Sequence, residues 1–464
     1  MAVPAPDIQL LITPPGGSET DYTKYLSYSG ANQQMTITQN FGRQGDTAVF
    51  PLLVEHSGVL PFYIPPMSQV KLHDSIAGQT LFGGVITNPA FCPLGVNLGE
   101  YDLNCTDYTV YADYAIVRFP ASSVQAPDQI IVSLTNGANC GITAATLADG
   151  GYVAPGPALP DWTLSYTTLS GAWRTLATAC GQVTPYGWYV DDERHLHFYD
   201  QDTALDSRVT FTTSPTTAGS TTEGHILLDT TFLWENDGSK LVNKVLVQGA
   251  NQSVTYSLSN APTDQWLSDG YSTSWPLRYT VSDSPAPVLY VGGVQQTVTT
   301  AGSGDAPSGA WSIISNANGG YFLVAAAAPY AGAAIQVWYS YEAPIIMQAT
   351  DAASIAAYPG PNGGVFSEFI SDSSLTTPPM ALARAQQDRQ EYAYPVQRIT
   401  FNTSPEFLGW VRAGYVFTLD CALIQDLTRA GAMGVNGQFL CTANTITFSD
   451  GGYRTCQVTG VRIS

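Results

Sequence analysis

Gly78-Gln79-Thr80-Leu81-Phe82-Gly83-Gly84-Val85-Ile86 and, a short step later, Tyr101-Asp102-Leu103-Asn104-Cys105-Thr106-Asp107-Tyr108 decide how this chain begins to fold. The first stretch is an apolar run opened and interrupted by glycine. The second alternates apolar and polar side chains up to an Asp-Tyr corner. Successive side chains on a strand point to opposite faces, so both read as β-strands with a buried face. Residues 35–38, 49–54 and 70–72 have the same character, and Pro65-Pro66 and Gly83-Gly84 punctuate the run. The spacing predicts one short helical turn over 107–114. The chain opens as a small β module.

Residues 120–160 are rich in Pro, Gly and Ala and mark a domain boundary. Beyond them Leu169, Trp173, Leu176, Ala177 and Cys180 recur at helical spacing, which predicts a helix over 170–180 with Gly181 as its stop. Residues 188–190 and 195–199 read as a hairpin turning at Asp191-Asp192-Glu193. After a Thr/Ser-rich stretch at 212–222, strand signals return at 244–249, 287–291, 295–299, 310–315 and 335–341. A second helix is expected behind Thr377-Pro378 and ends before Pro395.

The last seventy residues repeat the opening in outline. Val70-Lys71-Leu72-His73-Asp74 has the shape of Val416-Phe417-Thr418-Leu419-Asp420. Gly78-Gln79 before Leu81-Phe82 matches Gly437-Gln438 before Phe439-Leu440, and Tyr101 to Cys105 matches Tyr453 to Cys456. The second copy carries a longer loop at 421–436. Residues 35–119 and 396–464 are therefore expected to be one module used twice.

Composition narrows the function. The 464 residues hold 17 basic and 37 acidic side chains, a net charge of −20. Gripping nucleic acid or anionic lipid needs basic clusters, so this is a poor surface for either, and sequence-reading DNA binding is set aside. Apolar residues at 44% are enough for real cores. The start, Met1-Ala-Val-Pro-Ala-Pro-Asp7, has no basic or continuous apolar region of a secretory signal. No stretch reaches the ~18 apolar residues of a membrane span, and the run from Val324 ends at Pro329. Cys92, Cys105, Cys140, Cys180, Cys421, Cys441 and Cys456 form no CxxC pair and are expected to be free thiols made in a reducing cytoplasm.

In order along the chain, four phrases resemble the tail hub family of tailed bacteriophages, the proteins at the centre of the baseplate or tail tip. They are residues 78–86, residues 101–108, the helix and hairpin from Leu176 through Trp188-Tyr189-Val190-Asp191 to Leu196-His197-Phe198, and Leu241-Val242-Asn243-Lys244-Val245-Leu246-Val247-Gln248-Gly249. The resemblance implies a mainly β, multidomain fold with related small β-barrels at both ends of the chain and an α+β domain and a β domain between them. It places the first barrel at 1–120, the α+β domain at 121–240, the β domain at 241–345, and a linker helix with the second barrel at 346–464. It implies a structural virion protein and not an enzyme: a homotrimer whose six barrels ring the DNA channel. Its partners would be the tail tube or distal tail protein, the tape-measure protein, and a central spike or tail fibres. DNA would only pass through, and no membrane insertion or cofactor is implied.

His195 and His197 fall on one strand face, and with Asp191 they offer metal-ligand types; the plainer reading turns Leu196 and Phe198 to the core and both histidines to water. Asp191/Asp192 and Glu368/Asp372 are acidic pairs of the kind glycosidases use, although a hairpin turn already accounts for the first. The 26 Tyr and 9 Trp suit a sugar-binding surface, the alternative function, but they fall at strand positions where pairing explains them. No catalytic or metal residue is assigned. Asp74, Asp420 and Asp426 are the expected channel-lining acids.

Overall fold

The computed structural model describes residues 8–463 except 29, 31–32, 43–44, 59, 76–77, 120–125, 157–158, 160–163, 181–185, 201–202, 217–221, 283–284, 302–309, 317–318, 361, 374, 404–410, 429–432 and 450–453. The expected stop at Gly181 and the Tyr453 of the repeat lie outside the described residues. Contacts gather the chain into two units, one of Met1–Val245, Gln348–Glu368 and Leu382–Ser464, the other of Leu246–Met347 and Phe369–Ala381.

In the first unit, β1 (Ile8–Thr13), β2 (Thr36–Asn40), β3 (Thr47–Glu55), β4 (Gln69–Asp74), β5 (Gln79–Pro93) and β6 (Leu98–Asp107) form an antiparallel ladder in the order β1-β4-β5-β6-β3-β2. Alternation drives it: Leu10 and Ile12, Phe50 and Leu52, and Val70 and Leu72 are all buried in one core. The expected turn after Asp107 is a short helix, α1 (Thr109–Tyr114), with the Thr109 N–H donating to Asp107 Oδ1 at 3.1 Å.

The supposed boundary at 120–160 holds a helix, α2 (Pro127–Gly137). Pro127 sits in its first turn and Ile130, Ile131 and Leu134 are buried on one side. It packs beside α3 (Leu169–Cys180), where the Trp173 indole donates to Thr135 Oγ1 at 3.0 Å. The hairpin follows as β7 (Tyr186–Val190) and β8 (Leu196–Asp200).

Next come β9 (Asp206–Thr212), β10 (Glu223–Leu227) and β11 (Leu233–Asp237), then helix α4 (Pro378–Tyr392) and β12 (Val396–Thr403), β13 (Val416–Gln425), β14 (Met433–Phe448) and β15 (Arg454–Arg462). Pairing runs β12-β15-β14-β13-β9-β10 and returns to β12. Strands from 206–227 thus complete the sheet begun at the chain's end. Phe211, Phe401, Phe417 and Phe439 fill its core, with Phe211 and Phe401 centroids 4.9 Å apart.

The repeat is visible as topology: β3-β6-β5-β4 and β12-β15-β14-β13 have the same order and the same antiparallel sense. Both middle strands bulge at matching places, Ile86/Asn88 and Cys441/Ala443. Counted from that bulge, Tyr101 is the counterpart of Cys456 and Cys105 of Gly460, so the match of Cys105 with Cys456 read from the sequence is out of register. The longer loop is in part a longer hairpin, since Cys421 pairs with Val435 and Gln425 with Met433.

The second unit is β throughout most of its length. Strands Asp264–Leu267, Ala334–Trp338, Val288–Val291 and Val294–Gln296 form one sheet, and Ser274–Pro276, Tyr321–Ala325, Trp311–Ser315 and Thr299–Ala301 another. Trp275, Trp311, Leu289 and Ile335 share its core, and the Tyr339 hydroxyl donates to buried Asp264 at 2.5 Å. Among the described residues no helix is long and apolar enough to cross a membrane.

Candidate functional site

The three expected channel acids do not come together. Asp74 is 1% exposed, and Arg454 Nη1 lies 2.7 Å from its Oδ2. Asp426 is also buried, its Oδ1 accepting the Thr428 N–H at 2.9 Å and hydroxyl at 2.7 Å. Both are enclosed by the chain itself, Asp74 against a distant arginine and Asp426 against a donor two residues on. Only Asp420 turns to solvent.

The densest polar site was missed in the sequence. It sits where β2 and β3, the β7–β8 hairpin and the segment before β13 meet. Arg412 Nη2 donates to Asp46 Oδ2 at 2.8 Å. The other Asp46 oxygen accepts the Asn40 N–H at 2.8 Å, and the Asp46 N–H donates to Asp107 Oδ2 at 3.0 Å. Two buried carboxyls therefore lie side by side, and the guanidinium pairs with one of them, Asp46. Burial, and then the charge of Asp46, push Asp107 up to about 7. Asp46 is also raised by burial, with Arg412 opposing the shift. The available signal was Val411-Arg412-Ala413, a lone cation inside an apolar stretch of a chain with few cations.

Arg412 also lies over the Tyr189 ring, 4.5 Å from its centroid. Tyr189 stacks on His197 at 4.4 Å, and Tyr152 stacks on the other imidazole face at 4.0 Å. His197 is thus 4% exposed, which corrects the expectation that it faces water. The hairpin is covered on both faces, so alternation does not leave a wet side. Leu196 and Phe198 are buried as expected, and His195 stays partly exposed.

Asp191 ties the HxH to the turn. Its Oδ1 accepts the N–H groups of Glu193 at 3.0 Å and His195 at 2.7 Å. Its Oδ2 lies 3.0 Å from His197 Nε2, while His197 Nδ1 is 3.1 Å from the Tyr189 hydroxyl. A neutral ring protonated on Nε2 satisfies both contacts. Burial lowers the His197 pKa and Asp191 only partly offsets this. Among the described residues no group of three or more His, Cys, Asp or Glu is arranged to hold a metal.

Two glycines set how closely the parts approach. A Cβ on Gly83 would stand 2.6 Å from the Asp192 Cβ and 2.8 Å from its Cα, so the hairpin turn rests directly on β5. Gly414, at φ +98°, would put a Cβ 2.6 Å from the Tyr199 hydroxyl. That hydroxyl donates to the Gly414 carbonyl at 2.8 Å, and Tyr199 stacks on Phe41. Beside this joint opens a groove of about 1010 Å³, lined by Phe41, Tyr186, Lys240, Tyr392, Arg398 and Arg462 among others. The joint itself holds an ion pair, stacked rings and hydrogen bonds, although the buried Arg412 Nε finds no partner among the described residues. Its chemistry is that of a lock.

No family model matches the chain, and no curated protein matches it in sequence. Solved structures do match. The 43 kDa tail protein of prophage MuSo2 from Shewanella oneidensis aligns over 98% of this chain and 98% of its own, at 11% identity and a TM-score of 0.52. Prophage tail protein gp18 from Listeria monocytogenes aligns over 98% and 94%, at 10% identity and 0.48. A tail protein from Neisseria meningitidis aligns over 98% and 96%, at 10% and 0.48. The chain is thus mainly β and multidomain, with the fold of a prophage tail protein, which is the fold the tail hub resemblance implied.

Proposed function

We propose that this chain is the structural tail hub of a bacteriophage, three copies of which form a ring of six related modules joining the tail tube to the tail tip around the DNA channel. The observation that carries the reading is the doubled strand order within one chain. Like parts at both ends let three chains present six like modules, and such a heterologous contact closes after six. The fold shared from end to end with the MuSo2 tail protein supports it. The locked joint suits a part that transmits force.

On this reading the chain is not an enzyme. The tail tube or distal tail protein takes one face, a central spike or fibres the other, and the tape-measure protein and then DNA pass through the middle. The division at 1–120, 121–240, 241–345 and 346–464 belongs to the same reading, and Asp420 is its remaining candidate for the channel wall. The test is the copy number in assembled particles, with the chain located by imaging. Three copies in a six-lobed ring is the expected result, and one or six copies per tail would refute it.

A further inference from the structure

We propose that the ring closes by strand pairing between copies: β11 of one chain runs antiparallel along residues 88–92 of β5 in the next. The inference rests on the hub reading and names the surface that reading needs.

The template lies inside the chain. β14 uses the edge beyond its bulge to pair with β2, setting Ala443 opposite Asn40, Ile446 opposite Ile37 and Thr447 opposite Thr36. The two bulges make Asn88 the counterpart of Ala443, Phe91 of Ile446 and Cys92 of Thr447. Yet the same edge of β5 has no partner strand among the described residues, because β4 pairs only as far as Val85. Phe91 is 40% exposed there, whereas Ile446 is fully buried.

The counterpart of β2 is found the same way. Ala48 lies opposite Cys105 and Ile399 opposite Gly460, equivalent places in the two modules. Ile37 sits beside Ala48 and Trp234 beside Ile399, both antiparallel, so β11 is the second module's β2. β2 is paired on both edges. β11 pairs only with β12 among the described residues and ends the sheet. Gln39 of β2 is fully buried, while its counterpart Asn236 is exposed and Leu233 is 48% exposed.

Two open edges of equivalent origin therefore lie on one chain, one in each module. An exposed edge is a template for another strand, and here the intrachain joint fixes which strand and which register. Carried over, that register sets Trp234 against Phe91, Leu233 against Cys92, Glu235 against Ala90 and Asp237 against Asn88 of the next copy. Each chain gives one strand and receives one, as closure requires. Pro89 has no N–H to donate, which keeps the ladder short and leaves specificity to side chains such as Phe91 and Leu233.

Native Cys92 makes the register testable in the full-length protein. Leu233→Cys should, under mild oxidation, form a disulfide with Cys92 of the next copy and convert the protein to a covalent trimer on a non-reducing gel. The link should vanish in Leu233→Cys/Cys92→Ser, and Leu233→Cys/Cys92→Ser/Asn88→Cys, four residues out of register, should not restore it. Native mass spectrometry of the same samples separates the two claims. A trimer by mass without the Leu233→Cys link overturns the strand register and leaves the hub reading standing. Protein that stays monomeric and unlinked at the highest reachable concentration overturns both.

Discussion

Arg412 supplies the counter-charge for Asp46, one of two neighbouring buried carboxyls. Its replacement by Met leaves Asp46 without a counter-charge, which costs about 3–5 kcal/mol when one partner of a buried pair is removed. Denaturant unfolding of Arg412→Met should show that loss. Protons write the same site into a pH profile. Asp107 titrates near 7 in the folded chain, against ~3.9 for an ordinary aspartate. The folded state therefore holds an extra proton between those values, and the stability this contributes is complete below pH ~4 and lost as pH rises through about 7. His197, lowered by burial, works in the opposite sense: its contribution is present above ~6.5 and lost on acidification. The two terms separate by comparison: relative to the native chain, Asp107→Asn should gain stability as pH rises from about 5.5 to about 7 and show no further change above that, as unfolding midpoints of the two proteins measured side by side would show. The cysteines give a third check. All seven are free, with Cys105, Cys180, Cys421, Cys441 and Cys456 buried, and burial raises the pKa of each of these five. Alkylation of the native protein should label Cys92 and Cys140 first, and denaturation without reductant should expose all seven; disulfide-linked peptides would contradict this.

Elements were legible where one physical signal dominated. The β4, β5 and β6 strands stood out because alternation and glycine punctuation agree, and α3 because Trp173 and Leu176 recur at helical spacing. Helix α2 was hidden by composition: Pro, Gly and Ala around it read as a linker, although Pro127 followed by Ile130, Ile131 and Leu134 is a helix start with an apolar face. The ion-pair joint was not legible at all, since Asp46, Asp107 and Arg412 are brought together by strand order rather than by sequence spacing. Gly83 shows the same limit. In the sequence it punctuates a strand, and in the fold it is the seat of the β7–β8 turn. Gly83→Val should therefore cost about 1–3 kcal/mol through overpacking against the Asp192 backbone. Protease susceptibility should rise at the 191–194 turn, while Gly95→Val, at a tip with open space around it, should change little.

At the scale of the whole molecule the question is where the charge of −20 goes. Part of it is internal, since Asp46, Asp74, Asp102, Asp107, Asp264, Asp388 and Asp426 are all buried and Asp102 is pushed up to about 6 by burial and by Glu100 beside it. Other acids, among them Glu193, Asp269 and Asp420, face solvent, and the proposed three-chain ring would carry roughly −60 formally, three times −20. Solubility alone accounts for an acidic exterior. The proposed channel, if it releases DNA, asks for more: the duplex carries one charge per ~1.7 Å, and basic walls would hold it by counterion release. Acidic walls within a Debye length of ~8 Å would repel it and let it slide. Asp420, exposed on β13, is the carboxylate proposed for that wall. In an assembled particle the surface potential of the lumen should be negative, with Asp420 on the wall. Particles carrying Asp420→Lys should then release DNA more slowly at low salt, with the difference shrinking as salt screens the charge. A neutral or basic lumen, or unchanged release at low salt, would leave solubility as the sole role of the acidic surface.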